Sequence, residues 1–396
     1  MGKKSLIGIF ICALILFVFV GNSIIPAIAK NIEKISQPTS SGNWLYVGGS
    51  GPNNYTKIQD AVDNASDGDT IQVYSGIYNE NIFIEKTLTL EGENKDTTII
   101  NGGKNHSTIA IFSDNVQIMG FTMTNGSWRN AVVDIYAAHC RITNTVILDC
   151  LCGIRLHTSH ENTVDNNIIR REVNHGIELI QSENNHITKN YITNTSLSIQ
   201  LEESNGNTIS NNIFTRNQYS IWLDTSHNNS IIENTITISD EFCLLIKQSN
   251  NNIIMKNYIY DNKGTGILLD SSQGNRIQES QISNNPYGII LISSVFNLVK
   301  LNEITNNEYG VILEEAYLNL ISKNNIYDNK QNALFRNAWV NHWSSNYWKT
   351  LCIGPKIIQG KLFKWVQSGW GYKQIDILTL YKCDWRPAKE PYNISE

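Results

Sequence analysis

Apolar and polar positions alternate along most of this chain with a period of two, in short segments that recur every 22 or 23 residues. Asn stands at 162, 185, 207, 229, 252, 275, 297, 319 and 341. Two residues after each comes an apolar side chain: Val164, Ile187, Ile209, Ile231, Ile254, Ile277, Val299, Ile321 and Trp343. Five residues after each comes a second polar position: Asn167, Asn190, Asn212, Asn234, Asn257, Ser280, Asn302, Asn324 and Asn346, with Ser280 the departure. An apolar residue follows two places later, from Ile169 to Trp348. A third segment reads Gly-Ile-x-Leu, as at Gly176 to Leu179, Gly266 to Leu269 and Gly288 to Leu291, with weaker forms at Gly153 to Leu156 and Val116 to Phe121. Period two is the signature of a strand. Three such segments per repeat predict three strands per coil. A 22-residue unit has too little apolar surface to fold alone, so the units must stack. The predicted fold is all-β: a parallel β-helix solenoid with three strands per 22–23-residue coil, stacked about 4.8 Å apart.

The recurring Asn fits that architecture. A side-chain amide at the same bend of every coil can bond its copies above and below, and Asn tolerates the left-handed backbone of tight bends. A leucine-rich repeat has a similar period, but it needs regular leucines and a helical or 3₁₀ back. Here Ile and Val dominate, and Asn is a poor helix former. Solenoid ends expose strand edges and need caps. Thr56-Lys57-Ile58-Gln59 has capping-box spacing, and Ile58, Ala61, Val62 and Ala65 follow at helical spacing, which predicts a short N-terminal capping helix. The Asn repeat ends near 348. The domain reading is a signal segment at 1–29, a leader at 30–43, the β-helix with its N-terminal cap at 44–348, and an aromatic C-terminal cap or tail at 349–396. That tail holds eight Lys/Arg against four Asp/Glu, and six of the nine tryptophans lie between 339 and 385.

Composition narrows the function. Of 396 residues, 17% are charged and the net charge is −5, which argues against a nucleic-acid binder. Lys3 and Lys4 precede an apolar run from Leu6 to Val20, and Ala27-Ile28-Ala29 offers a small-residue cleavage site. This predicts export, with an uncleaved anchor as the alternative and as the chain's sole route to a membrane. Export permits disulfides among Cys140, Cys150, Cys152, Cys243, Cys352 and Cys383. Cys352 and Cys383 are placed to staple the tail, and Cys243, at a Gly or Ser position of the repeat, reads as a buried free thiol.

Residues 55–91, YTKIQDAVDNASDGDTIQVYSGIYNENIFIEKTLTLE, resemble the N-terminal opening of NosD-type and pectin-lyase-like β-helix proteins. The N-x-I-x-x-N-x-I units resemble their coils, and Asn346-Tyr347-Trp348 resembles their closing motif. The resemblance covers roughly residues 44–350. It implies a right-handed, exported β-helix of the carbohydrate-binding and sugar-hydrolysis type. NosD-type proteins are implicated in copper delivery to a nitrous oxide reductase. The tail, with DWRPAKEPYNI at 384–394, looks like that of archaeal surface β-helix proteins, and copper is disfavoured.

In Gly-Ile-x-Leu-x each x points outward. The first outward column reads Arg155, Glu178, Gln200, Trp222, Leu245, Leu268, Ile290 and Ile312. The second reads His157, Ile180, Glu202, Asp224, Lys247, Asp270, Ile292 and Glu314. Arg155, His157, Glu178, Gln200 and Trp222 are the expected ligand-binding set, with Trp222 as a plate for a sugar's apolar face. Glu202 and Asp224 lie on adjacent coils and are the candidate catalytic pair for a polysaccharide hydrolase or lyase. They are also a candidate Ca²⁺ pair. The bland alternative is a solvated polar face. The tail is expected to fold back over the aliphatic stripe from Leu245 to Ile312. For a metal, His139, His157 and His160 near Cys140, Cys150 and Cys152 are the weak candidates, and no zinc spacing is present. The favoured function is an exported or cell-surface protein that binds polysaccharide or a surface glycan, or serves a structural role, without catalysis.

Overall fold

The computed structural model describes residues 42–127, 129–171, 174–338, 340–349, 354–368 and 371–394. The expected signal segment, most of the leader and Cys352 lie outside the described residues. So does any test of the Cys352–Cys383 staple.

The chain winds into a parallel β-solenoid with three sheets. Sheet I has 14 strands, from Trp44–Val47 to His342–Ser344. Sheet II has 12, from Gly76–Tyr78 to Asn325–Tyr327, and sheet III has 14, from Ile82–Ile84 to Gly371–Asp384. Equivalent residues of successive coils pair directly, for example Ile187 with Ile209, Ile192 with Phe214, and Leu179 with Leu201. The apolar positions of the repeat all point inward and are fully buried, so the core is one continuous column of Ile, Val and Leu. Period-two patterning leaves no other arrangement in which every coil buries its apolar face.

Asn ladders run along the inside of two corners. The Asn234 side chain is typical. Its Oδ1 accepts from the backbone N–H and the Nδ2 of Asn212, both at 3.0 Å. Its own Nδ2 donates to Ile209 O at 2.9 Å and to Asn257 Oδ1 at 3.1 Å. Each fully buried amide is thus satisfied by the coils on either side. Ser280 keeps the second ladder going, because its Oγ accepts from Asn257 N at 3.2 Å. A third ladder, through Asn217, Asn262, Asn285, Asn307 and Asn329, and a serine ladder from Ser182 through Ser204, Ser226, Ser249 and Ser272, were not foreseen.

One expectation about these residues is corrected. The left-handed bend belongs to the residue before the ladder Asn: Glu161, Asn184 and Asn228 at φ 56°, and Leu318 at φ 57°. The ladder position is selected by an inward amide, and the bend in front of it accepts Glu, Phe or Leu as well as Asn.

The N-terminal helix, α1, spans Ile58–Asn64 and buries Ile58, Ala61 and Val62 against the first coil. The capping box is not formed. Lys57 occupies the N-cap without a side-chain bond, and the Glu80 carboxylate from the next coil accepts from Ile58 N and Gln59 N, both at 3.0 Å. Orphan helix donors need an acceptor, and a neighbouring coil supplies it here.

The tail departs from expectation too. Among the described residues its end returns to Asn325, where Tyr392 N donates to Asn325 Oδ1 at 2.8 Å, and does not run along the stripe from Leu245 to Ile312. Lys356–Ser368 and Gly371–Asp384 form an antiparallel hairpin that adds the last two strands to sheet III. Gly360 and Lys361 pair with Phe335 and Arg336. An open strand edge demands partners for its N–H and C=O groups, and the tail meets that demand. Within the aliphatic stripe Leu245 and Leu268 are nonetheless 8% exposed and Ile312 4%.

Asp384 closes the second Asn ladder in the place where the next Asn would stand. Its Oδ2 accepts from Asn346 N at 2.9 Å, Asn346 Nδ2 at 3.1 Å and Trp348 Nε1 at 3.2 Å, and its Oδ1 from Ser345 N at 3.0 Å. Asp384→Ala is expected to cost about 2 kcal/mol, because the Asn346 and Trp348 donors that it satisfies are buried. Amide hydrogen exchange checks this: protection should fall in the last coil and stay unchanged before residue 280.

Candidate functional site

The outer face of sheet III carries the chemistry, because every second residue of its strands points away from the core. The first outward column is in register as read and begins one coil earlier than the repeat suggested. Asp134 pairs with Arg155, Arg155 with Glu178, Glu178 with Gln200, and Gln200 with Trp222.

Asp134, Arg155 and Glu178 form a sunken ionic row. Arg155 Nε donates to Glu178 Oε2 at 2.6 Å, while its Nη1 donates to Arg129 O at 3.2 Å and lies 3.8 Å from Asp134 Oδ1. Asp134 is 1% exposed, and its Oδ2 accepts from Ser107 Oγ at 2.6 Å and Ala131 N at 3.1 Å. Burial pushes the Asp134 carboxyl above its usual range, against the Ser107 hydrogen bond, the Arg155 charge and the Ala131 N–H. His175 Nδ1 stands 4.0 Å from Glu178 Oε1. Glu178 holds Arg155 by a hydrogen bond and Asp134 by charge alone, since Asp134 Oδ1 is buried without a hydrogen-bond partner.

Beside the row the second column presents an aromatic shelf. Phe112 and Tyr136 are 49% and 44% exposed, and their rings stack at 5.2 Å with an interplanar angle of 5°. His157 follows at 5.7 Å from Tyr136. Its Nδ1 faces Thr158 Oγ1 at 3.1 Å. The Tyr136 hydroxyl is held above its ordinary pKa by burial and by the Asp134 charge. Exposed, coplanar rings on adjacent coils are costly in water unless something covers them.

The other expected residues separate from this group. Gln200 lies between the ionic row and Trp222. Trp222 is half-buried rather than a bare plate: its indole Nε1 is buried without an acceptor, and its ring tilts against Tyr219 at 6.0 Å. Glu202 and Asp224 are register neighbours as expected. Asp224 lies 3.6 Å from Lys247 Nζ and accepts from Thr225 Oγ1, while Glu202 is exposed. The lysine offsets the like-charge crowding on which a proton-donor role for this pair depends.

Asp134 and Tyr136 were missed because the stretch ahead of Val133 departs from the repeat, and Ser107 and Phe112 because their coil, at Ile109–Ile111, lacks the Gly-Ile-x-Leu pattern. The available signal was Val133-x-Ile135, which alternates like Ile154-x-Leu156 and pairs with it.

The metal candidates divide as well. His139 and His160 meet edge to face at 6.2 Å, and His139 Nδ1 is 3.2 Å from Glu161 Oε2, whereas His157 belongs to the aromatic shelf. The Cys140 thiol faces Ser113 O and Ala138 O, each at 3.4 Å, and burial pushes it up to about 11. Cys243 is fully buried and free, as its place in the repeat implied.

Comparison with known proteins adds the family. The model of the periplasmic copper-binding protein NosD matches residues 62–243 and 237–363. The chain belongs to the NosD family. A cell surface glycoprotein of Methanothermus fervidus is 41% identical over 96 residues, which is 24% of this chain and 16% of that protein. The match therefore spans about a sixth of that relative's length. Among solved structures, a mannuronic-acid-specific polysaccharide lyase of family 6 from human gut microbiota superposes with a TM-score of 0.59 at 15% identity, over 73% of this chain and 84% of that one. PfbA, a surface adhesin of Streptococcus pneumoniae, gives 0.54 at 14% identity, over 84% and 95%. These likenesses are of fold.

The NosD description raises copper, and the donor geometry can be set against it. Among the described residues no three or more His, Cys, Asp or Glu side chains converge to hold a metal ion. The imidazoles of His139 and His160 lie apart from His157, and the thiols of Cys140 and Cys243 are buried with raised pKa values. Copper favours converging imidazole, thiolate or thioether groups. Among the described residues no such set converges.

Proposed function

We propose that this NosD-family protein is an exported, surface-located β-helix that binds polysaccharide without cleaving it, through the aromatic shelf of sheet III. The observation that carries the reading is the stacked, half-exposed pair Phe112 and Tyr136 beside the fixed Arg155 guanidinium. Flat apolar rings suit the apolar face of a pyranose, and the neighbouring Arg155 and His157 suit its hydroxyl and carboxylate groups. Two relatives are named for the cell surface or periplasm, which agrees with the targeting segment read from the sequence. Arg155 is chosen for rigidity: held between two carboxylates, it loses little side-chain entropy when a ligand arrives.

A glycan array with the purified chain, with and without Ca²⁺, identifies the ligand. Calorimetry on the best hit then tests the shelf. Tyr136→Ala is expected to weaken binding about tenfold, as the loss of one stacked ring implies. Unchanged affinity in Tyr136→Ala and Phe112→Ala together would remove the shelf from the binding site. Overnight incubation reports catalysis directly. The recovered glycan is expected to be intact, and shortened or unsaturated product abolished by Glu202→Gln or Asp224→Asn would restore the acid pair as an active site.

A further inference from the structure

The repeat sorts the asparagines of this chain into two kinds. In the first two ladders an inward apolar residue stands two places after each Asn, so none of these ladder amides falls in an Asn-x-Ser/Thr sequon. The chain has seven sequons, at Asn54, Asn64, Asn105, Asn125, Asn194, Asn228 and Asn393, and all lie outside the ladders. The fold treats them unequally. Asn54 and Asn125 are half-buried with the amide nitrogen turned onto the protein: Asn54 Nδ2 donates to Gly48 O at 2.6 Å, and Asn125 Nδ2 to Asn101 Oδ1 at 2.9 Å. Asn64 Nδ2 donates to Asp60 O at 2.7 Å, Asn228 is half-buried, and Asn393 makes a contact of its own. Asn105 and Asn194 are exposed, and neither Nδ2 donates to another described residue. Both stand on the corner that joins sheet II to sheet III. Asn105 follows the strand Thr98–Asn101 and Asn194 follows Tyr191–Thr193, four coils or about 19 Å apart. The strands of sheet III start at this corner and run toward Phe112, Tyr136 and His157 at their other end.

We infer that Asn105 and Asn194 are N-glycosylation sites of the exported chain, and that the corner between sheets II and III is therefore an edge that stays in solvent. The co-reactant is an oligosaccharide linked through a diphosphate to a membrane lipid. The Nδ2 atom forms a bond to the anomeric carbon, and the bond from that carbon to the diphosphate oxygen breaks. The lipid diphosphate leaves with the electron pair, and the amide gives up one proton. The inference rests on export, not on glycan binding by the aromatic shelf. A linked glycan is bulky and hydrated, so a chain that carries one folds well only where the substituted nitrogen faces water. On Asn54 or Asn125 the glycan would replace a proton of an amide packed against Gly48 or Asn101, and the bond that amide makes would be strained or lost. Asn194 occupies one of the left-handed bends, at φ 58°, with its side chain in water. Glycans on this corner leave the far end of the sheet III strands, where the shelf lies, open.

Glycosite mapping of the full chain tests the inference. The chain is directed through a yeast secretory pathway, and the folded protein is recovered. Its N-glycans are released enzymatically in heavy-oxygen water, which marks each formerly occupied Asn as a labelled Asp. Label is expected at Asn105 and Asn194 in most molecules, and at least about fivefold less at Asn54 and Asn125. Asn105→Gln with Asn194→Gln should lower the intact mass by two glycans and keep the circular dichroism spectrum, since Gln181 and Gln248 already occupy left-handed bends in this fold. Absence of label at either Asn105 or Asn194 overturns the inference, and so does occupancy at Asn54 and Asn125 equal to theirs.

Discussion

Asn234→Ala should destabilise the solenoid by about 3 kcal/mol, because it strands a buried backbone N–H and takes the side-chain donor from a buried carbonyl. The Asn212 N–H loses its acceptor and the Ile209 carbonyl loses its side-chain donor, and both lie mid-stack where water cannot reach them. Ala also removes the link that joins Asn212 to Asn257. Asn234→Ser is the informative control. The chain already carries a serine in this ladder at Ser280, whose hydroxyl accepts from the preceding coil's N–H. The serine variant should therefore recover roughly half of the loss, with the Ile209 carbonyl still lacking its side-chain donor. Urea unfolding followed by circular dichroism measures both. Equal stability of the alanine variant and the wild type would mean that the ladder amides are passengers on a core that folds without them.

Arg155→Ala should be of similar size, about 3–5 kcal/mol, and should carry a pH signature. Removing the guanidinium leaves Asp134 and Glu178 facing each other across a sunken face without their shared cation. Burial already raises the Asp134 carboxyl. A carboxyl raised in the folded state destabilises it at neutral pH. That penalty is full above the folded pKa and disappears below the unfolded value of about 3.9. The variant should accordingly regain stability relative to wild type as the pH falls from about 7 toward about 4. Adding Asp134→Asn and Glu178→Gln to Arg155→Ala should recover much of the loss at neutral pH, since the three residues form one network. A variant whose deficit is flat or grows as pH falls would mean that Arg155 acts by packing alone.

These two experiments probe different parts of the molecule. The first concerns the inside of a corner, where each coil repeats the last. The second concerns the outside of a sheet, where each coil is free to differ. A glycan-binding surface belongs on the second kind of position, because the repeat constrains only what faces inward. The aromatic shelf, the ionic row and the aliphatic stripe are successive stretches of a single outward face, and none of them disturbs the core beneath.

The repeat itself determined most of the fold. Period-two patterning at a fixed 22–23-residue spacing leaves stacked coils as the way to bury Ile and Val, and the register Leu179 to Leu201 or Glu202 to Asp224 follows from alignment of the repeats. Buried Asn at fixed positions likewise announced the ladders, since a buried amide must find partners and its own copies are nearest.

What the tertiary structure decided lies where the repeat breaks. Glu80 caps α1 across 22 residues of chain, Asp384 ends a ladder that begins more than two hundred residues earlier, and Asp134 joins Arg155 although the irregular stretch ahead of Val133 hides its register. Each is a single residue meeting a need created elsewhere in the chain. No local pattern marks such a residue, because the group it satisfies becomes its neighbour only when the coils have stacked.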